Sequence, residues 1–98
     1  MKRIKQLVDC IDEELEGAKD YAEMYLQLKA DGNGMQSKFK DMAMDELRHA
    51  GYVHDYATEQ INKLETVYTP PVDMAEAWEK SHRKYVEKAA WVRQMLTM

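Results

Sequence analysis

The placement of its helix-breaking residues constrains this chain more than any other feature of its sequence. Both of its Pro residues and two of its four Gly residues lie in two short stretches, Asp31–Gly34 and Thr69–Pro71. Between these stretches, apolar residues recur every three or four positions, which is typical of helices and not of strands. The sequence therefore predicts an all-α fold with helices over residues 2–30, 35–65 and 71–97.

The first two predicted helices are each about 40 Å long. A four-residue turn joins them, so we expect a long antiparallel hairpin followed by a third, C-terminal helix. A single domain of residues 1–98 has a small core, and we expect a second copy of the chain to cover the hairpin. Trp78, Tyr85 and Trp91 of the third helix are expected to pack against another subunit. The expected inner faces are Ile4, Leu7, Val8, Ile11, Leu15, Ala18, Ala22 and Tyr25 in the first helix, Phe39, Met42, Ala43, Ala50, Val53, Ala57, Ile61 and Leu64 in the second, and Met74, Trp78, Tyr85, Ala89, Val92 and Leu96 in the third.

Charge and composition exclude several classes of function. Eighteen acidic and fourteen basic residues give a net charge of −4, which argues against a nucleic-acid partner. The sequence has no apolar run long enough for a membrane span, and its single cysteine, Cys10, cannot form an internal disulfide. We therefore expect a cytoplasmic protein. No phosphate-binding Gly loop or nucleophile–base motif is present to support nucleotide-dependent or hydrolytic chemistry.

Charged residues on the predicted apolar faces are the most informative ones. Glu46 projects from the middle of the expected face of the second helix, between Met42 and Ala50, and His49 lies one turn further on. Glu14 lies at the edge of the face of the first helix. An unpaired buried carboxylate costs several kcal/mol, so these groups should be protonated, paired with a cation or bound to a metal.

Glu46 and His49 form a Glu-x-x-His motif, whose spacing lets a carboxylate and an imidazole ligate the same metal. A second such motif joins Glu79 to His82. Counted from the Gly-rich turn, Glu14, Glu46 and His49 lie roughly 24, 17 and 21 Å along the hairpin. Glu79 points towards solvent and lies about 12 Å from the Pro-rich turn, against roughly 28 Å for Glu46. We therefore predict a metal site at Glu14, Glu46 and His49, and not at the second motif.

The alternative interpretation of Glu46 and His49 is a salt-bridged polar layer inside a helical bundle, with Arg or Lys supplied by another chain. The eight Met residues are interpreted as adaptable core filler and not as sulfur ligands. Three further acids, Glu13, Glu16 and Asp45, are expected to form a solvated acidic face. His54, Glu79 and His82 are expected to be surface or interface residues.

Three segments together resemble a known family. Glu13–Glu16, Tyr21 seven residues after Glu14, and Asp45–Ala50 resemble the ferritin-like di-iron superfamily. The sequence is most similar to the short encapsulated ferritins and next to the rubrerythrins, over roughly residues 7–64. By this resemblance Glu14 is a terminal carboxylate ligand, Glu46 a bridging one and His49 the nitrogen ligand, while Tyr21 orients the ligands through hydrogen bonds.

The resemblance also implies a function. It implies a ferroxidase that oxidises Fe(II) to Fe(III) with dioxygen or peroxide, in iron storage or detoxification. Two irons would be bound per dimer site, in a ferritin-like four-helix bundle completed by dimerisation; manganese, calcium or zinc are expected substitutes. The implied partners are a second copy of the chain, a ring of such dimers and an encapsulin-type shell. The expected location is cytoplasmic. Because residues 95–98 do not resemble the targeting extension of the encapsulated ferritins, the sequence leaves open whether a nanocompartment encloses the protein.

Two alternative functions stay open at this point. Rubrerythrin-like peroxide reduction ranks lower, because rubrerythrins usually pass electrons through a Cys-ligated iron domain that one cysteine cannot build. The other alternative belongs to a different class. It is a metal-free helical structural or adaptor subunit, associated with a phage or a shell.

Overall fold

The computed structural model describes residues 2–67 and 69–98, and this part of the chain forms three α-helices. They are α1 (Lys2–Ala30), α2 (Gln36–Glu65) and α3 (Val72–Met95). The all-α prediction is confirmed, and every predicted helix end lies within two residues of the observed one. None of the described helices combines the length and the apolar character that crossing a membrane requires.

The Gly-rich turn ends α1 by a specific local mechanism. Gly32 adopts a left-handed conformation with φ of 68°, which glycine reaches without a steric penalty. The amide of Gly32 donates to the carbonyl of Lys29 at 3.1 Å, and the amide of Asn33 donates to the carbonyl of Leu28 at 2.9 Å. This is the Schellman pattern, which satisfies the last carbonyl groups of a helix. The Asn33 side chain then accepts a hydrogen bond from the amide of Met35 at 2.9 Å and leads the chain into α2.

The start of α3 follows from proline chemistry. Pro71 has φ of −56° and ψ of 145°, so it stands just before the helix and not within it. Its carbonyl accepts a hydrogen bond from the amide of Ala75 at 3.1 Å. The helix therefore starts one residue later than predicted, because the residue that caps a helix has extended backbone angles.

The third helix packs lengthwise on the hairpin and makes an up–down–up three-helix bundle about 55 × 17 × 16 Å in extent. It runs parallel to α1, since Lys84 Nζ lies 3.5 Å from Asp12 Oδ1 and Lys88 Nζ lies 2.7 Å from Glu16 Oε2. It contacts α1 more extensively than α2. One side of the hairpin is thus covered from within the chain, while the expected four-helix bundle, completed by dimerisation of two hairpins, stays a prediction.

The core lies where the three helices meet, and it corrects the predicted face of α2. The expected face of α1 is buried or half-buried throughout. In α2, however, Leu47 and His54 are also buried, so the buried face is centred closer to α3 than predicted. Glu46 consequently lies at the edge of the buried face and not at its centre, with its side chain 26% exposed. The cause is α3, which covers the flank of α2 that carries Leu47 and His54.

One expectation about a histidine is wrong, and two aromatic rings have partners that were not expected. Trp78 and Tyr85 stack on His54 within the same chain, with centroid distances of 5.5 and 4.2 Å. Both are half-buried, and their expected contact with another subunit stays a prediction. His54 was expected at the surface or at an interface, yet it is only 9% exposed. An imidazole held between aromatic rings buries its flat faces and behaves as part of the core. Trp91 is exposed, and its expected contact with another subunit stays a prediction.

Candidate metal centre

The predicted metal residues lie on the side of the hairpin that α3 leaves uncovered. At 100° per residue, Glu14 lies about 160° around α1 from Asp12 and from Glu16, the two acids that pair with lysines of α3. On α2, Glu46 and His49 lie on the flank opposite the one that α3 covers. The site is therefore open towards solvent or towards a partner.

Glu14, Glu46 and His49 converge on one point. Each offers a ligand atom, and these three atoms all lie within 4.8 Å of one another. His49 Nδ1 is 3.5 Å from Glu14 Oε2 and 3.9 Å from Glu46 Oε1. Within residues 2–67 and 69–98, this is the one group of three or more His, Cys, Asp or Glu side chains that meets that condition. The structure thus brings together the three residues that the sequence selected.

The electrostatics of the group favour a bound cation. Hydrogen bonding to Glu14 raises the pKa of Glu46, and burial and the negative charge of Glu14 raise it further, while His49 opposes them. Two adjacent carboxylates repel each other, and a shared proton or a metal ion relieves that repulsion. A divalent cation bound by Glu14 and Glu46 would relieve this repulsion as a shared proton does. Cation and proton therefore compete for the two carboxylates.

One oxygen atom of the group points to a missing partner. Glu14 Oε2 is buried and accepts no hydrogen bond from the part of the chain that the structure describes. Leaving a buried acceptor unsatisfied costs about 1–3 kcal/mol, and more for a charged group. A metal ion bound between Glu14, Glu46 and His49 would satisfy this oxygen, so the donor set fits a cation that prefers oxygen with some nitrogen, such as iron or manganese.

A glycine that sequence reasoning missed belongs to the site. Gly17 lies in the middle of α1, where glycine costs about 0.5–1 kcal/mol relative to alanine. A Cβ atom at Gly17 would lie only 3.1 Å from Glu46 Oε2, closer than such atoms ordinarily approach. The absence of a side chain thus gives the Glu46 carboxylate room to lie beside Glu14. The available signal was an isolated glycine inside a long helical pattern, one turn from Glu14.

Tyr21 lies seven residues, about two helical turns, after Glu14 on α1. It is half-buried, and its ring packs on Phe39 with 6.1 Å between centroids. Among the described residues its hydroxyl has no hydrogen bond to Glu14, Glu46 or His49. Its role in orienting ligands stays a prediction.

The second Glu-x-x-His motif does not form such a site. Glu79 points to solvent and lies 3.7 Å from Arg83. His82 turns the other way, and its Nδ1 is 2.7 Å from His54 Nε2 in a hydrogen bond whose donor depends on the tautomer. Because its two potential ligands diverge, this motif offers a cation no common position.

The neighbouring acids are occupied by surface ion pairs. Asp45 lies 2.8 Å from Arg48, and the hydrogen bond from Lys88 lowers the pKa of Glu16. Glu13 and Cys10 are exposed. Glu13 and Asp45 thus agree with the solvated acidic face that was expected, whereas Glu16 lies on the opposite side of α1 from Glu14 and pairs with α3.

The geometry of the site is the evidence for its function. Comparisons of the chain with protein-family models, with curated proteins and with solved structures give no match. The relation to the ferritin-like superfamily therefore stays a resemblance of motifs. What the site can do follows from three convergent ligands on the open side of a helical hairpin.

Proposed function

We propose that this chain binds iron at Glu14, Glu46 and His49, and that two copies form a di-iron centre that oxidises Fe(II) to Fe(III). The observation that carries the proposal is the convergence of these three side chains, with a buried Glu14 oxygen among them that accepts no hydrogen bond from the described residues. The motif likeness to ferritin-like proteins supports the same conclusion. In that family Glu and Glu-x-x-His pairs from helical hairpins enclose two metals.

A second copy would complete the site. One chain supplies three side-chain ligands, and two metal ions need more than that to fill their coordination spheres. A two-fold axis beside the open flank would bring a second set of Glu14, Glu46 and His49 towards the first, because a two-fold interface pairs the same surface of both copies. The flank also carries half-buried apolar side chains that such an interface would cover: Leu7, Tyr21 and Leu28 of α1, and Met42 and Val53 of α2.

The proposed reaction treats iron as the substrate. Two Fe²⁺ ions lose one electron each, and dioxygen takes up both electrons and two protons to give hydrogen peroxide. When peroxide is the oxidant, the same two electrons and two protons give two water molecules. The carboxylates of Glu14 and Glu46 offset the charge that the metal gains on oxidation, and His49 supplies the nitrogen ligand. Because the neighbouring Glu14 raises the pKa of Glu46, cation binding at this carboxylate competes with its protonation.

The proposal predicts that metal binding and dimer formation stabilise each other, and this coupling can be tested. A ligand that binds only the assembled form stabilises that form by mass action. Anaerobic Fe(II) or Mn(II) should therefore shift a dilute sample towards dimers or larger rings in sedimentation velocity, and raise its melting temperature. A Glu14→Ala, His49→Ala double variant is the control, since it keeps the apolar residues of the open flank and should lose both effects.

Three results would count against the proposal, each in a different way. A chain that stays monomeric while binding two metals would show that the site closes within one polypeptide. A chain that binds no metal after iron loading would favour the metal-free structural or adaptor protein. Catalytic peroxide reduction that draws its electrons from an added reductant, with no net oxidation of supplied Fe(II), would favour the rubrerythrin-like activity.

A further inference from the structure

A cavity lies between α2 and α3, on the flank of α2 opposite Glu46 and His49. Its volume is about 520 Å³, within the range of cavities that hold small organic ligands. None of Glu14, Glu46 and His49 lines it. The cavity is thus separate from the proposed iron site, and an inference about it does not depend on that proposal.

The floor of this cavity is apolar. Leu47 and Leu96 are buried at its base, and the exposed side chains of Met44 and Tyr52 form part of its rim. Gly51 also lines it, and a Cβ atom there would lie 3.5 Å from the Tyr85 hydroxyl. Gly51 thus adds no side chain to this part of the groove, and a larger residue there would lie beside Tyr85. Apolar side chains around an open groove bind the apolar part of a ligand by removing its surface from water.

The charges around the cavity are mostly positive, although the whole chain carries a net charge of −4. Lys40, Arg48 and Arg93 line it, with Asp55 as the single acid. Arg48 is paired with Asp45 at 2.8 Å, whereas Arg93 makes no ion pair with any residue in 2–67 or 69–98. The positive charges are therefore only partly neutralised.

The charges are also segregated along the groove. Lys40 and Asp55 are 15 positions apart on α2, which corresponds to about 22 Å along the helix. Because α3 runs antiparallel to α2, Arg93 near the end of α3 lies towards the Lys40 end, and Tyr85 lies towards the Asp55 end. The groove thus has a basic end and a less charged end joined by an apolar floor.

We propose that this groove binds a small anionic amphiphile, a molecule with an apolar body and one carboxylate or sulfonate group. The apolar body would lie on Leu47 and Leu96, and the anionic group would pair with Arg93. A guanidinium group donates two parallel hydrogen bonds to such an oxyanion. A neutral ligand would leave Arg93 without a counter-charge, and a cationic one would be repelled by it.

The probes for the test are 1-anilinonaphthalene-8-sulfonate, which fluoresces when it enters an apolar site, and dodecanoate as its competitor. We expect dodecanoate to displace the dye and dodecanol, its uncharged counterpart, to displace it at least tenfold less well. Arg93→Gln should weaken dye binding about tenfold, the loss expected for one charged hydrogen-bonding partner. Arg83→Gln is the matched control on α3, because Arg83 pairs with Glu79 and does not line the cavity.

Gly51→Leu tests the location of the site. The added side chain would enter the groove, leucine is a better helix former than glycine, and circular dichroism checks that the variant folds. We expect this variant to lose dye binding while its metal binding stays unchanged. Equal affinity of Arg93→Gln and wild type, or retained binding by Gly51→Leu, would overturn the proposal. The proposal would also be overturned if sedimentation velocity shows a dimer and that dimer does not bind the dye.

Discussion

The two Glu-x-x-His motifs of this chain have the same spacing and opposite outcomes. Glu46 and His49 turn towards each other and towards Glu14. In the second motif Glu79 pairs outward with Arg83, while His82 turns inward to His54. Helical spacing places two side chains near one another in both cases, but a neighbouring helix decides whether they share a ligand. Glu14 of α1 supplies that third group at the first motif.

The largest expected difference between the two motifs is in metal content. Glu46→Ala should abolish metal binding, because it removes one of the two carboxylates that converge with His49. Glu79→Ala should leave the metal content unchanged, since Glu79 contacts only Arg83 among the acids and bases described. Metal per chain after anaerobic loading with Mn(II) and desalting measures both. Loss of metal by the Glu79 variant and retention by the Glu46 variant would reverse the assignment.

The next difference is in stability. His54→Ala removes a buried ring that stacks on Tyr85 and Trp78, so we expect the free energy of unfolding to fall by about 2–4 kcal/mol. His49→Ala removes a half-exposed side chain and should change the metal-free protein by no more than about 0.5 kcal/mol. Urea unfolding of metal-free protein compares the two. Similar losses for both variants would show that His49 is structural as well.

Substitutions at Gly17 and Gly51 test whether the first motif needs open space beside Glu46. Gly17→Ala should improve helix propensity by about 0.5–1 kcal/mol, yet weaken metal binding, because its Cβ atom would crowd Glu46 Oε2 at 3.1 Å. Gly51→Ala is the matched control, since its Cβ atom would meet the Tyr85 hydroxyl at an ordinary 3.5 Å. Competition for Mn(II) against a coloured chelator gives the affinities. Equal affinity of both variants would mean that Glu46 moves aside without loss.

The smallest expected effect is on the pH dependence of stability, through His54, the hydrogen-bonding partner of His82 in the second motif. Burial lowers the pKa of His54, the charge of His82 lowers it further, and Asp55 opposes them. The unfolded chain then binds a proton more readily than the folded one, so stability should fall as pH drops below about 6.5, the ordinary histidine value. The raised pKa of Glu46 acts in the opposite sense, because the folded metal-free chain then holds the extra proton.

His54→Phe separates these two contributions, since phenylalanine keeps the stacking and cannot take up a proton. Unfolding free energies at pH 7.5 and 5.5 should differ less in this variant than in wild type. His49→Ala should retain the wild-type loss on acidification that His54 causes. An unchanged pH dependence in His54→Phe would show that the inward-facing histidine of α2 does not couple protonation to stability.

The sequence by itself determined the helices and which three residues form the candidate site. Turn chemistry at Gly32 and Pro71 is local, because it depends on the backbone angles of single residues, and both helix breaks were predicted from it. Helical rise and spacing also placed Glu14, Glu46 and His49 at matching depths, and the structure brings them together. These inferences needed only the geometry of a single helix and of one hairpin.

Only the tertiary structure decided which flank of the hairpin is closed. Periodicity marks an apolar face but does not show which partner covers each edge of it, and the position of α3 fixed that choice. Its docking buried Leu47 and His54, moved Glu46 to the edge of the core and turned Trp78 and Tyr85 inward. The close approach of Gly17 to Glu46 depends on the distance between α1 and α2 in the same way. Such contacts join residues far apart in the chain, and side-chain packing sets them, not local propensity.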